Sequence, residues 1–237
     1  MGKSSKRGIA NQRNPLLSEI TDRLVRAYRP ERVYRFGSDG LPSAVLSQGK
    51  PWLNRPMALE GMLGGRPAAW EVAEKFAFTG TKPAEVRGRA ALRSGDLNVA
   101  VESVTEYDGL IRLRVTYGPA RGSVALDRLR LKAPLAGARC LFYSADGKER
   151  VWRPDGKGPG YCYDLLPAKQ GTVFDSTERP QTAGLPAMFT GLFWLADNET
   201  CFCYAADTDE GWLIRDDAPS VEAVREGDDV VLRVGRE

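Results

Sequence analysis

Side chains alternate between apolar and polar through the middle of this chain, and nothing else in the sequence restricts the fold as much. In Leu97–Val104 the apolar residues fall at Leu97, Val99 and Val101. In Leu110–Tyr117, Ile111, Leu113, Val115 and Tyr117 take one side while Arg112, Arg114 and Thr116 take the other. Val124, Leu126, Leu129 and Leu131 continue the pattern with a one-residue shift, as a β-bulge would produce. A period of two means strands with one buried face. Glu106-Tyr107-Asp108-Gly109 sits between the first two runs and puts Asp-Gly where a hairpin turn favours it. Further strand-like runs are Arg139–Ser144, Phe189–Ala196, Glu199–Ala205 and Val230–Val234, with an entry strand and turn at Leu46–Pro51. Ala68–Phe76 fits a helix or a strand. The 25 glycines and 15 prolines supply the turns such a chain needs. The expected fold is mainly β: an antiparallel β-sandwich over residues 43–237, preceded by a short helix-strand segment within residues 1–42.

That first segment differs in charge. Positions 1–39 hold nine Lys/Arg and four Asp/Glu, and the other positions hold 25 and 27. The excess positive charge is therefore a basic leader, read as solvated, and no nucleic-acid partner is expected. Asn14-Pro15 suits a helix start, with Asn14 as N-cap. Leu16, Leu17, Ile20, Leu24 and Ala27 make one helical stripe that should end near Tyr28-Arg29, before Pro30. A short strand, Arg32–Phe36, follows and stops at Gly37-Ser38-Asp39-Gly40. Residues 20–38 resemble the start of a minimal nucleotidyltransferase, whose helix and strand lead to a Gly-Ser turn that holds nucleotide phosphates. That family needs an Asp-x-Asp pair on the next strand to bind metal, and none follows Ser38, so no activity is assigned to the segment. No apolar run follows Met1 as a secretory signal would require, and no stretch approaches the length of a membrane span. The chain as it stands is expected to be cytoplasmic, with no membrane partner.

Histidine is absent. No Ser-His-Asp or Cys-His nucleophile can be built within the chain, nor a His-ligated metal site. The cysteines, Cys140, Cys162, Cys201 and Cys203, match no zinc module, and Cys201-Phe202-Cys203 reads as two small core residues on one face of a strand, with an inter-strand disulfide left open. Asp207-Thr208-Asp209-Glu210 has the composition of a calcium loop but lacks its glycine and its distal glutamate, and reads as a solvated turn. The segments Lys157-Gly158 and Lys169-Gln170-Gly171 lack the spacing of a phosphate loop and read as surface. Of the five tryptophans, Trp194 lies in an apolar run and reads as core. Trp152 and Trp212 border polar sequence, and they are the candidate ligand-binding residues, as exposed rings on which a sugar could stack. No catalytic residue, cofactor or metal is expected.

Two stretches carry a second resemblance. They are Glu106–Thr116, with its Tyr-Asp-Gly hairpin, and Gly191–Trp212, with Trp194-Leu195-Ala196-Asp197, a second strand, an acidic turn and Gly211-Trp212. Together they resemble the N-terminal β-sandwich of bacterial proteins related to glycoside hydrolase family 123. Ala196 stands where that family usually has glycine, and Thr200-Cys201 replaces its usual Arg/Lys-Gly-Leu. In the family the sandwich precedes a (β/α)₈ barrel that carries an Asp-Glu pair for substrate-assisted hydrolysis of N-acetylhexosaminides. The chain reaches Glu237 in sandwich-like sequence, so the resemblance implies a module without that barrel: a truncated reading or a stand-alone accessory domain. The expected role is non-catalytic, supporting a barrel or contacting carbohydrate. The alternatives are a degenerate nucleotidyltransferase fragment and a generic protein-interaction sandwich.

Overall fold

The computed structural model describes residues 17–21, 24–29, 32–145, 163–178, 191–208, 210, 212 and 217–236. Among them there are nineteen strands, two short 3₁₀ turns and no α-helix, and every strand pairing is antiparallel.

The first sheet is a meander of β1 (Leu17–Thr21), β2 (Leu24–Arg29), β3 (Arg32–Phe36), β4 (Pro42–Ser47) and β5 (Lys50–Pro51). This corrects the expected N-terminal helix. Leu17–Thr21 and Leu24–Arg29 pair as antiparallel strands, Leu17 with Tyr28 and Thr21 with Leu24. The apolar spacing that suggested a helix is overridden by pairing: β2 finds a ready partner in β3. The strand expected at Arg32–Phe36 is β3.

Next come β6 (Ala58–Leu63) and β7 (Arg66–Pro67), and then the four long strands of the second sheet: β8 (Glu71–Lys82), β9 (Glu85–Ser94), β10 (Leu97–Glu106) and β11 (Ile111–Pro119). The segment that fitted either helix or strand at Ala68–Phe76 leads into β8. In β10 the alternation holds: Leu97, Val99 and Val101 are buried while Asn98 and Glu102 are exposed. β9 alternates as well, with Val86, Ala90 and Leu92 buried and Arg87, Arg89 and Arg93 exposed. Its inward set is small at Gly88, and the ring of Phe76 from β8 occupies the space that a side chain there would need.

The remaining strands are β12 (Leu126–Ala136), β13 (Phe142–Ala145), β14 (Asp164–Leu165), β15 (Gly171–Asp175), β16 (Leu192–Ala196), β17 (Cys201–Ala205), β18 (Val221–Glu226) and β19 (Asp229–Arg236). The third sheet has the order β15-β18-β19-β12-β6-β7, and the fourth β14-β13-β16-β17. The shift expected in the Val124–Leu131 run is a register irregularity between Leu126 and Arg128.

Inward side chains of the second, third and fourth sheets meet in one core. Val101, Leu135, Phe193, Leu195, Val221 and Val230 are all fully buried within it. The first sheet joins in two ways. Leu53 bridges to Leu135 of β12 just after Trp52, whose ring is buried in the same core. Tyr34 and Phe36 of β3 form a smaller cluster with Val86, and the Phe36 ring stacks on Phe76 at 5.3 Å. Stacked aromatic pairs of this kind add to the gain from area burial alone.

Candidate functional site

The Tyr-Asp-Gly hairpin between β10 and β11 is a latch. The Asp108 carboxylate accepts the Leu110 amide at 2.9 Å, and the Gly109 amide donates to Glu106 O at 3.0 Å, which closes the turn. Gly109 has φ +96°, a conformation that favours glycine. A Cβ there would also stand 2.6 Å from the Tyr34 hydroxyl. That close approach is used: Tyr34 OH donates to Gly109 O at 2.9 Å, and the Arg32 guanidinium donates to Asp108 O. The hairpin is thereby tied to β3, 75 positions earlier in the chain.

The second motif, Trp194-Leu195-Ala196-Asp197, ends β16 and turns the chain into β17. Asp197 accepts the amides of Glu199 (2.8 Å) and Thr200 (2.7 Å) on one oxygen, and the Arg139 Nε at 2.9 Å on the other. Burial pushes the Asp197 carboxyl up, but the two amides and the guanidinium outweigh it and hold its pKa below the ordinary value. Arg139 also donates to the Thr200 hydroxyl, and its guanidinium lies 4.6 Å over the Trp52 ring. Its Nη1 is buried with no hydrogen-bond partner among the described residues. No motif or spacing singles out Arg139: it lies in the Gly137–Arg139 3₁₀ turn, at the start of the run expected as strand, 58 positions from Asp197.

The Gly-Ser turn at residues 37–40 is packed against the second sheet. The Gly37 amide donates to Leu41 O at 2.8 Å and the Gly40 amide to Gly37 O at 3.1 Å, while Ser38 O accepts the Phe76 amide at 2.8 Å. Gly40 is buried against Ala90, Phe76 and Val101. With strands in place of the expected helix, and with these two amides engaged by the protein itself, the turn has none of the open cradle that a phosphate requires. Asp39 in this turn is pushed up by burial, partly offset by the Leu41 amide.

Of the two candidate ligand-binding tryptophans, Trp152 lies outside the described residues. Trp212 is half-buried, packed on the core, with its ring 6.4 Å from that of Tyr204. Trp194 is half-buried as well: its neighbours Phe193 and Leu195 point into the core, and it faces outward beside Tyr163. Cys201 and Cys203 are exposed, which corrects their reading as core residues; strand parity turns Phe202 and Tyr204 inward instead. The buried thiol is Cys140, which burial pushes up to about 12.

Acidic side chains on the third sheet are held by cations. Glu60 lies 3.1 Å from Lys132 and 3.1 Å from Arg233, and Arg233 also reaches Glu226 at 2.7 Å. Burial pushes Glu60 up, and Lys132 and Arg233 more than offset it, so the pKa falls below the ordinary value. No group of three or more His, Cys, Asp and Glu that could hold a metal ion occurs among the described residues.

No curated protein matches the chain. A family model does, that of the third domain of glycoside hydrolase 123, over residues 22–156. The matched span is more than half of the 237 residues. It holds all four strands of the second sheet and the latched hairpin, and it takes in most of the segment likened above to a nucleotidyltransferase. The stretch from Gly191 to Trp212 lies beyond it. By that match, the chain belongs to the glycoside hydrolase 123 third-domain family.

Proposed function

We propose that the chain is a non-catalytic β-sandwich module of a glycoside-hydrolase-like protein, with residues 43–237 as the module and residues 1–42 as a leader whose β3 is anchored on it. Its role is to support a catalytic barrel. One observation carries this reading: the polar groups of both motifs are spent on the protein's own turns. Asp108 and Asp197 each accept backbone amides, and Gly109 receives the Tyr34 hydroxyl. A hydrolytic carboxylate pair needs two acids facing a shared space, whereas Glu60 faces Lys132 and Arg233.

A second reading, glycan contact, draws on Trp212, whose half-buried ring can offer one face to a sugar. Trp152 is proposed alongside it on sequence grounds alone. The test of the first reading is an assay of the purified chain with chromogenic N-acetylhexosaminides. No turnover above a buffer blank is expected, and sustained release of the chromophore would overturn it. For the second, retardation in a gel containing polysaccharide should be lost in Trp212→Ala; equal mobility of the two proteins would remove it.

A further inference from the structure

The last strand of the fourth sheet, β17, opens its outward face with two thiols. Cys201 and Cys203 are both exposed and two residues apart, so strand parity sets them on one side. The Cys203 sulfur lies 3.7 Å from the Tyr204 carbonyl oxygen, a weak hydrogen bond. Across the ladder the two cysteines face Ala196 and Trp194 of β16, neither of them charged. The carboxylates on either side of the strand are taken: Asp197 by Arg139, Glu199 by Lys50 and Asp207 by Arg112. Among the described residues no third His, Cys, Asp or Glu joins the pair. A rise of about 3.4 Å per residue puts the two Cβ atoms about 6.8 Å apart. A disulfide needs about 4 Å between them, so this pair closes on itself only if the strand is pulled out of the sheet.

We propose that Cys201 and Cys203 form a two-thiolate site for a soft monovalent cation of the copper(I) type. The site goes beyond the supporting role and does not depend on it. A linear S–metal–S unit with bonds of about 2.3 Å spans about 4.6 Å. Two sulfurs leaning toward each other along the strand reach that span without moving the backbone. The ligand set selects the ion. Thiolates favour soft cations, whereas calcium and magnesium need several oxygens, and the neighbouring carboxylates are already held by cations. Zinc takes four ligands, and here it would find two. Binding is an exchange of protons for metal with no change of oxidation state. Each thiol gives its proton to solvent as its sulfur–copper bond forms, and the ion stays copper(I).

The test titrates the reduced full chain with copper(I), under argon, against a chromogenic copper(I) chelator. The parent is expected to withhold one equivalent from the chelator. Cys201→Ser and Cys203→Ser should each weaken binding about a hundredfold or more, since loss of an outer hydrogen-bond partner alone costs about ten- to a hundredfold. Cys162→Ser, outside the described residues, should bind as the parent does. Far-UV circular dichroism checks that each variant folds. A second readout needs no variant. Mass spectrometry after alkylation should find Cys201 and Cys203 shielded in the copper-loaded protein and modified once the copper is removed. An equal concentration of zinc(II) should not lift the shielding. The proposal is overturned if the chelator takes all the copper from the parent, or if either serine variant at positions 201 and 203 holds it as tightly. Loss of binding in Cys162→Ser, or displacement by zinc(II), would equally rule out a site of two thiolates.

Discussion

Arg139 touches three parts of the chain at once: Trp52 between the first and third sheets, Asp197 at the end of β16, and Thr200 ahead of β17. Its side chain is removed from water, so its charge depends on those partners. Truncation leaves Asp197 without its cation and Trp52 without its cover. Breaking a buried pair in this way costs about 3 kcal/mol or more. Arg139→Ala should therefore lower the urea midpoint with little change in slope, whereas Lys50→Ala, which breaks an exposed pair with Glu199, should change the unfolding free energy by less than about 1 kcal/mol. A second residue-level expectation concerns Cys140. A thiol pushed up to about 12 has almost no thiolate at neutral pH, and this one has no path to solvent. Mass spectrometry after alkylation should find Cys201 modified in the folded protein, and Cys140 modified only in denaturant.

Among the elements, legibility followed the size of the inward side chains. β10 and β11 could be read because valine, leucine and isoleucine alternate with polar residues. β9 has the same geometry, but its inward positions include Gly88 and Ala90, which carry little hydrophobic signal. The missing bulk comes from Phe76 on β8, a contact that no single-strand pattern contains. The N-terminal strand pair was misread for a related reason: its apolar spacing fits two periods, and β3 decides between them. The site was less legible than the fold. Its motif residues could be named, but the partners Tyr34 and Arg139 lie 75 and 58 positions away. Phe76 is the element-scale test. Removing its ring opens a gap between Phe36 and Gly88, and Phe→Ala changes of this type cost about 3 kcal/mol. The expected outcome for Phe76→Ala is faster limited proteolysis within residues 32–51, while the third sheet stays protected.

For the molecule as a whole, acid is the informative perturbation. Asp197 and Glu60 both have pKa values below their ordinary 3.8 and 4.5 in the folded state. As pH falls the unfolded chain takes up their protons first, so the stability they contribute is present at neutral pH and is lost as pH drops through the folded values. Asp39 acts in the opposite sense. Its raised pKa favours the folded state at low pH, and that contribution fades as pH rises through it. Glu85 is lowered as well, by its hydrogen bond to Arg87, so with three depressed carboxylates against one raised among the described residues, thermal stability should fall between about pH 6 and about pH 3. Glu60→Gln should flatten that dependence and Asp39→Asn should steepen it, both read from melting curves across the range. A Glu60→Gln slope equal to that of the parent would show that the ladder of Lys132 and Arg233 contributes nothing measurable.

The position of β19 in the third sheet bears on how the polypeptide is made. It lies between β18 and β12, and Leu131 pairs with Val234, more than a hundred positions later. During synthesis β12 emerges long before its neighbour exists, with one flank of backbone hydrogen-bonding groups open and Leu135 uncovered. Closure of the interior waits for β18 and β19 to leave the ribosome, and until then the nascent chain is a natural client for chaperones that shield sticky strands.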